Sequence, residues 1–231
     1  MRSHRHQETH FGQSERVRDI VIGAADGLTV PFALAAGLAG VATTSGIIVA
    51  AGFAEIVAGT IAMGLGGFLA ARSQADHYDS ELERERSEVR DIPEHERREV
   101  AEILETYGLH GDVLKKTVDA LTRDHDRWVD FMMRFELGLE KPAAGRALIS
   151  ALTIGSAYFA GGLVPLLPYM LLTDLKQALW LSAAATLVTL FGFGAVKGRY
   201  TGLPMLKAGI QTTVIGGLAG AAAFFAAGLV S

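Results

Sequence analysis

The stretch Ala54–Arg90, AEIVAGTIAMGLGGFLAARSQADHYDSELERERSEVR, passes from an apolar run to a densely charged one without a proline. Its apolar part belongs to a longer run, Ile47–Ala71, which reaches the roughly 20 residues that a bilayer-spanning helix needs. Its charged part keeps its apolar residues at helical spacing instead of alternating. The stretch therefore reads as one helix that starts as a membrane span and runs on into water, with no breaker before Asp91 and Pro93.

Working outward, four more runs of similar length appear: Ile20–Ala42, Ala147–Leu172, Ala178–Val196 and Ala208–Val230. Half of the 231 residues are hydrophobic and they gather in these blocks, which is the pattern of a membrane protein. The expected fold is all-α, a five-span transmembrane protein with a helical domain between spans two and three. Its expected organisation is a tail over 1–16, spans one and two over 17–71, the helical domain over 72–146 and spans three to five over 147–231. The first run is too long for a cleaved signal peptide and holds Asp26 and Pro31, so it is expected to stay in the mature chain.

Lys and Arg concentrate in cytoplasmic segments. Here they fill the tail (Arg2, Arg5, Arg16, Arg18), the Arg72–Arg146 insert and the Lys197–Lys207 loop, against Lys176 alone on the opposite side. This places the amino terminus and the insert in the cytoplasm and the carboxyl terminus outside. The net charge of −4 conceals that polarity, and no nucleic-acid partner is expected. There are no cysteines, so any metal must be held by O, N or thioether ligands.

Within the insert, Pro93 suits the first turn of a second helix and Gly108 suits its stop. Two further helices are expected at about Asp112–Arg123 and Asp126–Leu139, with Asp112 and Asp126 as caps. The abundant span glycines, such as Gly23, Gly27, Gly64, Gly66 and Gly67, are first of all small residues that let helices approach in lipid. Five spans without a visible internal repeat lack the matched halves that many carriers use, which favours a homodimer.

Asp26 and Glu55 are the ionisable residues well inside the spans, with Asp19 at the end of the first. A carboxylate at membrane depth is costly unless it meets water or partners, so each is a functional candidate. Asp19 and Asp26 are seven residues apart, about 10 Å along one helix face. Pro31 cannot donate to the Gly27 carbonyl, and the turn beyond Asp26 is expected to kink and leave that oxygen free. On the second span Glu55, Gly59 and Met63 share a face, and the Met63 thioether is a softer ligand than oxygen. Taken alone, Met63 reads more readily as packing, and the competing reading of Asp26 is a protonated, hydrogen-bonded carboxyl.

The insert repeats the theme. Glu81, Glu85 and Glu88, then Glu96 and Glu99, are spaced for one helix face, and Met132 and Met133 precede Glu136 by about one turn. A mixed Glu and Met set suits a borderline metal such as Fe²⁺, with Mn²⁺, Co²⁺ and Zn²⁺ as alternatives. The competing reading is a solvated face neutralised by Arg84, Arg86, Arg97 and Arg98. His4, His6 and His10 fit either a metal-collecting tail or a segment without a role, and His77, His95, His110 and His125 are expected on the surface. No phosphate-binding glycine loop, nucleophile elbow or HExxH motif is present, which argues against ATP-driven transport and protease activity. No organic cofactor is expected.

The segments RDIVIGAADGLTVPFALAAGL, AEIVAGTIAMGLGGFLAARSQADHY, DFMMRFELGLEKP and GGLVPLLPY, in this order, resemble the vacuolar iron transporter family from about Glu15 to the last span. The resemblance implies a five-span homodimer that exchanges cytosolic Fe²⁺ for protons, an antiporter rather than an enzyme. It further implies that Asp26 and Met63 are transmembrane metal ligands, with Asp19 and Glu55 as acidic pathway residues. Glu85, Glu88, Glu96, Glu99, Met132, Met133 and Glu136 would form a cytoplasmic metal-binding domain. Export then crosses the plasma membrane in a prokaryote and the vacuolar membrane in a plant or fungus. The rival readings are an Mn²⁺ or other divalent-cation transporter of the same fold, a membrane-anchored iron buffer or sensor, and a ferroxidase. The paired Glu-x-x-His motif of a di-iron bundle is lacking, which counts against the last.

Overall fold

The computed structural model describes residues 10–230, which form eight helices and, among those residues, no strand. In chain order they are α1 (His10–Ala39), α2 (Ser45–Asp91), α3 (Pro93–Thr106), α4 (Gly111–Leu121), α5 (His125–Phe135), α6 (Arg146–Leu171), α7 (Leu175–Thr201) and α8 (Met205–Val230). Five of them, α1, α2, α6, α7 and α8, are long and apolar enough to cross a membrane. His4 and His6, with the rest of residues 1–9, lie outside the described residues.

The 47-residue α2 is continuous from its apolar start to Asp91, a length of about 70 Å at helical rise. The first span ends earlier than its apolar run does. Gly40–Ala42 leave the helix in a tight turn, Val41 and Ala42 both donating to the Leu38 carbonyl (3.0 and 2.7 Å). The fourth span is longer than its apolar run, because local signals outside that run set its ends. The Asp174 side chain accepts from the Gln177 N–H at 3.0 Å, and Gly202, at φ 73°, closes the helix in the left-handed conformation. Pro31 lies inside α1 without interrupting it.

The chain divides into two compact units, one holding the residues up to Leu69 and from Ala147 onward, the other Ala70–Arg146. In the first, α8 packs on α7 and α1, and α1 on α7. Glycines bring backbones together there. A Cβ on Gly23 would lie 2.2 Å from the Ile154 carbonyl oxygen, and one on Gly27 2.3 Å from that of Tyr158, so α1 meets α6 at a distance that a larger residue would not allow. The Ser182 hydroxyl adds a polar tie, donating to the Pro165 carbonyl at 2.7 Å.

The second unit has its own core, in which Tyr78 and Val89 of α2, Val100 of α3, Val118 of α4 and Trp128, Val129, Met132 and Met133 of α5 are buried together. Pro93 opens α3 as expected. Gly108, at φ 84°, ends it, with its N–H donating to the Glu105 carbonyl (2.9 Å) and that of Leu109 to Leu104 (3.2 Å). The expected caps are corrected. The position before α4 is His110, with no side-chain cap, and Asp112 sits in the first turn, where a negative charge still suits the helix dipole. The cap of α5 is Asp124, whose Oδ1 accepts from the N–H groups of Asp126 (3.1 Å) and Arg127 (3.2 Å). Asp126 is already helical and cannot fill that role.

Candidate functional site

The helical unit gathers carboxylates against its core. Ligand oxygens of Glu85 on α2, Glu96 on α3 and Glu136 just after α5 lie within 4.8 Å of one another. Glu85 and Glu96 are 1% and 2% exposed, and the Oε2 atom of each is buried without a hydrogen-bond partner. Burying an unpaired carboxylate costs several kcal/mol, so this arrangement either keeps protons or takes up a cation. Burial first, then the charges of Glu136, Glu96 and Glu88, push Glu85 up to about 7. Burial and the charges of Glu99, Glu88 and Glu136 push Glu96 up to about 7 as well. Glu136 is raised chiefly by burial, then by Glu99, while Arg84 works against the shift.

The arginines do not neutralise the group evenly. Arg84 approaches Glu81 at 2.8 Å, Glu88 at 3.5 Å and Glu85 at 3.8 Å. Arg86 faces Glu83. Arg97 turns away from the acids around Glu96 to Asp119 and to the Thr122 hydroxyl (2.6 Å). Met132 and Met133 are 0% and 1% exposed in the apolar core. Their thioethers belong to that packing, whatever else they do.

In the membrane unit the acids are sparse. Asp19 is 1% exposed, with the Arg18 guanidinium at 4.0 Å. Asp26 and Met63 are half-buried. The Thr29 hydroxyl donates to the Ala25 carbonyl at 2.9 Å, in the same turn as the Gly27 carbonyl that Pro31 cannot serve. Glu55 is held from α6: its Oε1 accepts a hydrogen bond from the Tyr158 hydroxyl, and its Oε2 is buried without one. Among the described residues, Asp19, Asp26 and Glu55 do not form a three-ligand group.

A sequence profile of the VIT family matches residues 17–228. This chain belongs to the VIT family. It is 52% identical to vacuolar iron transporter 1 of Oryza sativa over 96% of this chain and 88% of the relative. It is 53% identical to vacuolar iron transporter 1 of Tulipa gesneriana over 95% and 89%, and to that of Arabidopsis thaliana over 97% and 90%.

Two residues of this VIT-family chain join the acids without having been singled out as partners from the sequence. Tyr158, 2% exposed, seats its ring on α2 where a Cβ on Gly59 would lie 2.4 Å from the phenol oxygen. The signal was a polar aromatic in a largely apolar span, which reads as packing until its partner is known. His95 stands on α3 with its Nδ1 3.6 Å from Glu99 and 3.8 Å from Glu96. Its side chain is 54% exposed, as expected of a surface histidine. The i, i+4 spacing to Glu99 was available in the sequence.

Proposed function

We propose that this protein is a secondary transporter, not an enzyme, that moves Fe²⁺ out of the cytosol in exchange for protons. The observation that carries the reading is identity above one half, over nearly the whole chain, to proteins named vacuolar iron transporters. The helical unit serves as the cytoplasmic metal-binding domain. Glu85, Glu88, Glu96, Glu99 and Glu136 concentrate Fe²⁺ there, with Met132 and Met133 as the softer partners. The metal passes Asp19 and binds between Asp26 and Met63, while protons move oppositely through Asp26 and Glu55. Binding to a carboxylate requires its deprotonation, which is the physical basis of the exchange. Buried, proton-retaining glutamates with unpaired oxygens support this use of the helical unit.

The amino terminus and the helical unit face the cytosol, following the excess of Lys and Arg on that side. The functional unit is a homodimer. The membrane is the vacuolar one in a plant or fungal cell and the plasma membrane in a prokaryote.

The test is Fe²⁺ uptake into vesicles containing the purified protein. Uptake should rise with an imposed proton gradient and fall when an ionophore collapses it. Uptake unaffected by the gradient rejects exchange, and iron binding with no uptake at all leaves a buffer or sensor.

A further inference from the structure

Beside the three-glutamate group lies a second set of potential ligands that differs from it chemically. Nδ1 of His95 and carboxylate oxygens of Glu96 and Glu99 are all within 4.8 Å of one another. The two separations from the imidazole nitrogen, 3.6 Å to Glu99 and 3.8 Å to Glu96, are shorter than twice a typical metal–ligand bond of about 2.1 Å. One ion can therefore bridge His95 to either glutamate, and the two carboxylates, within 4.8 Å of each other, close on it with a small side-chain movement. An exposed His–Glu pair one turn apart is common and by itself indicates nothing more than a surface contact. What sets this one apart is Glu96, which is 2% exposed and keeps an oxygen without a hydrogen-bond partner. That oxygen belongs to the one residue that is a member of both groups.

We propose that His95, Glu96 and Glu99 form an outer metal subsite in which the imidazole selects borderline transition metals over harder cations, with Glu96 shared with the Glu85–Glu136 group. The proposal rests on the reading of the glutamates as metal ligands and adds a nitrogen donor to them. Carboxylates alone accept Mg²⁺, Ca²⁺ and Mn²⁺ readily, whereas neutral imidazole favours Fe²⁺, Co²⁺ and Zn²⁺. His95 is accessible to solvent, while the adjoining Glu96 is buried. An ion taken up at the exposed side can change partners through Glu96 without returning to water.

The experiment is equilibrium dialysis of the full chain in detergent with Co²⁺ or Mn²⁺, comparing the unmodified protein with His95→Gln and Glu96→Gln. At His95, an exposed position, glutamine keeps a neutral polar side chain, and at the buried Glu96 it keeps the shape of the glutamate, so the fold is retained. His95→Gln should weaken Co²⁺ binding at one site about tenfold or more, since loss of a partner even one shell further out has that effect. Its Mn²⁺ affinity should change by less than about threefold, because the carboxylates remain. Equal weakening of both metals would reduce His95 to an electrostatic neighbour and overturn the proposal. Unchanged Co²⁺ binding in His95→Gln with weakened binding in Glu96→Gln would also overturn it, while sparing the glutamate group. Unchanged binding in both variants would reject the subsite and the glutamate reading together.

Discussion

The two units place carboxylates under opposite conditions. In the helical unit three glutamates crowd to within 4.8 Å, two of them almost fully buried. In the membrane unit Asp26 and Glu55 stand apart from any such group, and Glu55 is steadied by the Tyr158 hydroxyl. Acids that are buried and crowded together can keep protons, in line with the upward shifts of Glu85 and Glu96, which come first from burial and then from the neighbouring charges. A span offers little solvent to share the charge, so each acid there must be rationed. The difference teaches that a dense carboxylate set suits collecting a cation reversibly, whereas single acids suit passing it on.

The largest effect should follow from Asp26→Ala. On the proposed path it removes an anionic ligand where water cannot easily replace it, at a desolvation cost of several kcal/mol or more for the ion. Fe²⁺ uptake should disappear even at high metal concentration, with the protein still inserted in the membrane. Appreciable residual uptake would show that the membrane acids are not the transfer point.

A smaller loss is expected when Glu96 and Glu99 are both replaced by Ala. The domain's fold rests on an apolar core that includes neither residue, so folding and membrane insertion should persist. Uptake at low Fe²⁺ should weaken and recover as Fe²⁺ is raised. A folded, dimeric variant as inactive as Asp26→Ala would make the helical unit an obligatory gate and erase the proposed contrast.

The smallest effect is on stability. Glu85 and Glu96 hold their protons up to about pH 7 in the folded chain, against an ordinary value of 4.5. Their favourable contribution is fully present below about pH 4.5 and is lost as pH rises through about 7. Metal-free protein should therefore melt at a lower temperature at pH 8 than at pH 5, and Co²⁺ should restore the loss at pH 8. Replacing both residues by Gln should flatten this pH dependence. A melting temperature that rises toward pH 8 in metal-free protein would contradict the assigned environment.

The spans were legible because length and apolar continuity are properties of the sequence itself, and the unbroken passage of α2 from lipid-type to charged sequence needed only the absence of a breaker. Gly108 was legible as a stop because a left-handed residue after a helix favours glycine. The caps were less so. Two aspartates and a histidine crowd the start of α5, and only backbone angles reveal that Asp124 is the extended residue. The glutamate cluster was half legible: spacing put Glu85 with Glu88 and Glu96 with Glu99. The meeting of Glu85, Glu96 and Glu136 depends on how three helices pack. Tyr158 and Glu55 are 103 residues apart in sequence, and no local pattern announces such a pair.

The most direct test of the central claim, that iron occupies both the dense and the sparse carboxylate sets, is anomalous X-ray scattering from crystals of the protein loaded with Fe²⁺ or Co²⁺. The account predicts one set of peaks among Glu85, Glu96 and Glu136 and a separate peak between Asp26 and Met63. Well-ordered crystals with metal in the glutamate set and none beside Asp26 at saturating concentration would contradict a path through the membrane acids. Such a result would leave the protein a metal-binding membrane protein without the transfer site proposed for it.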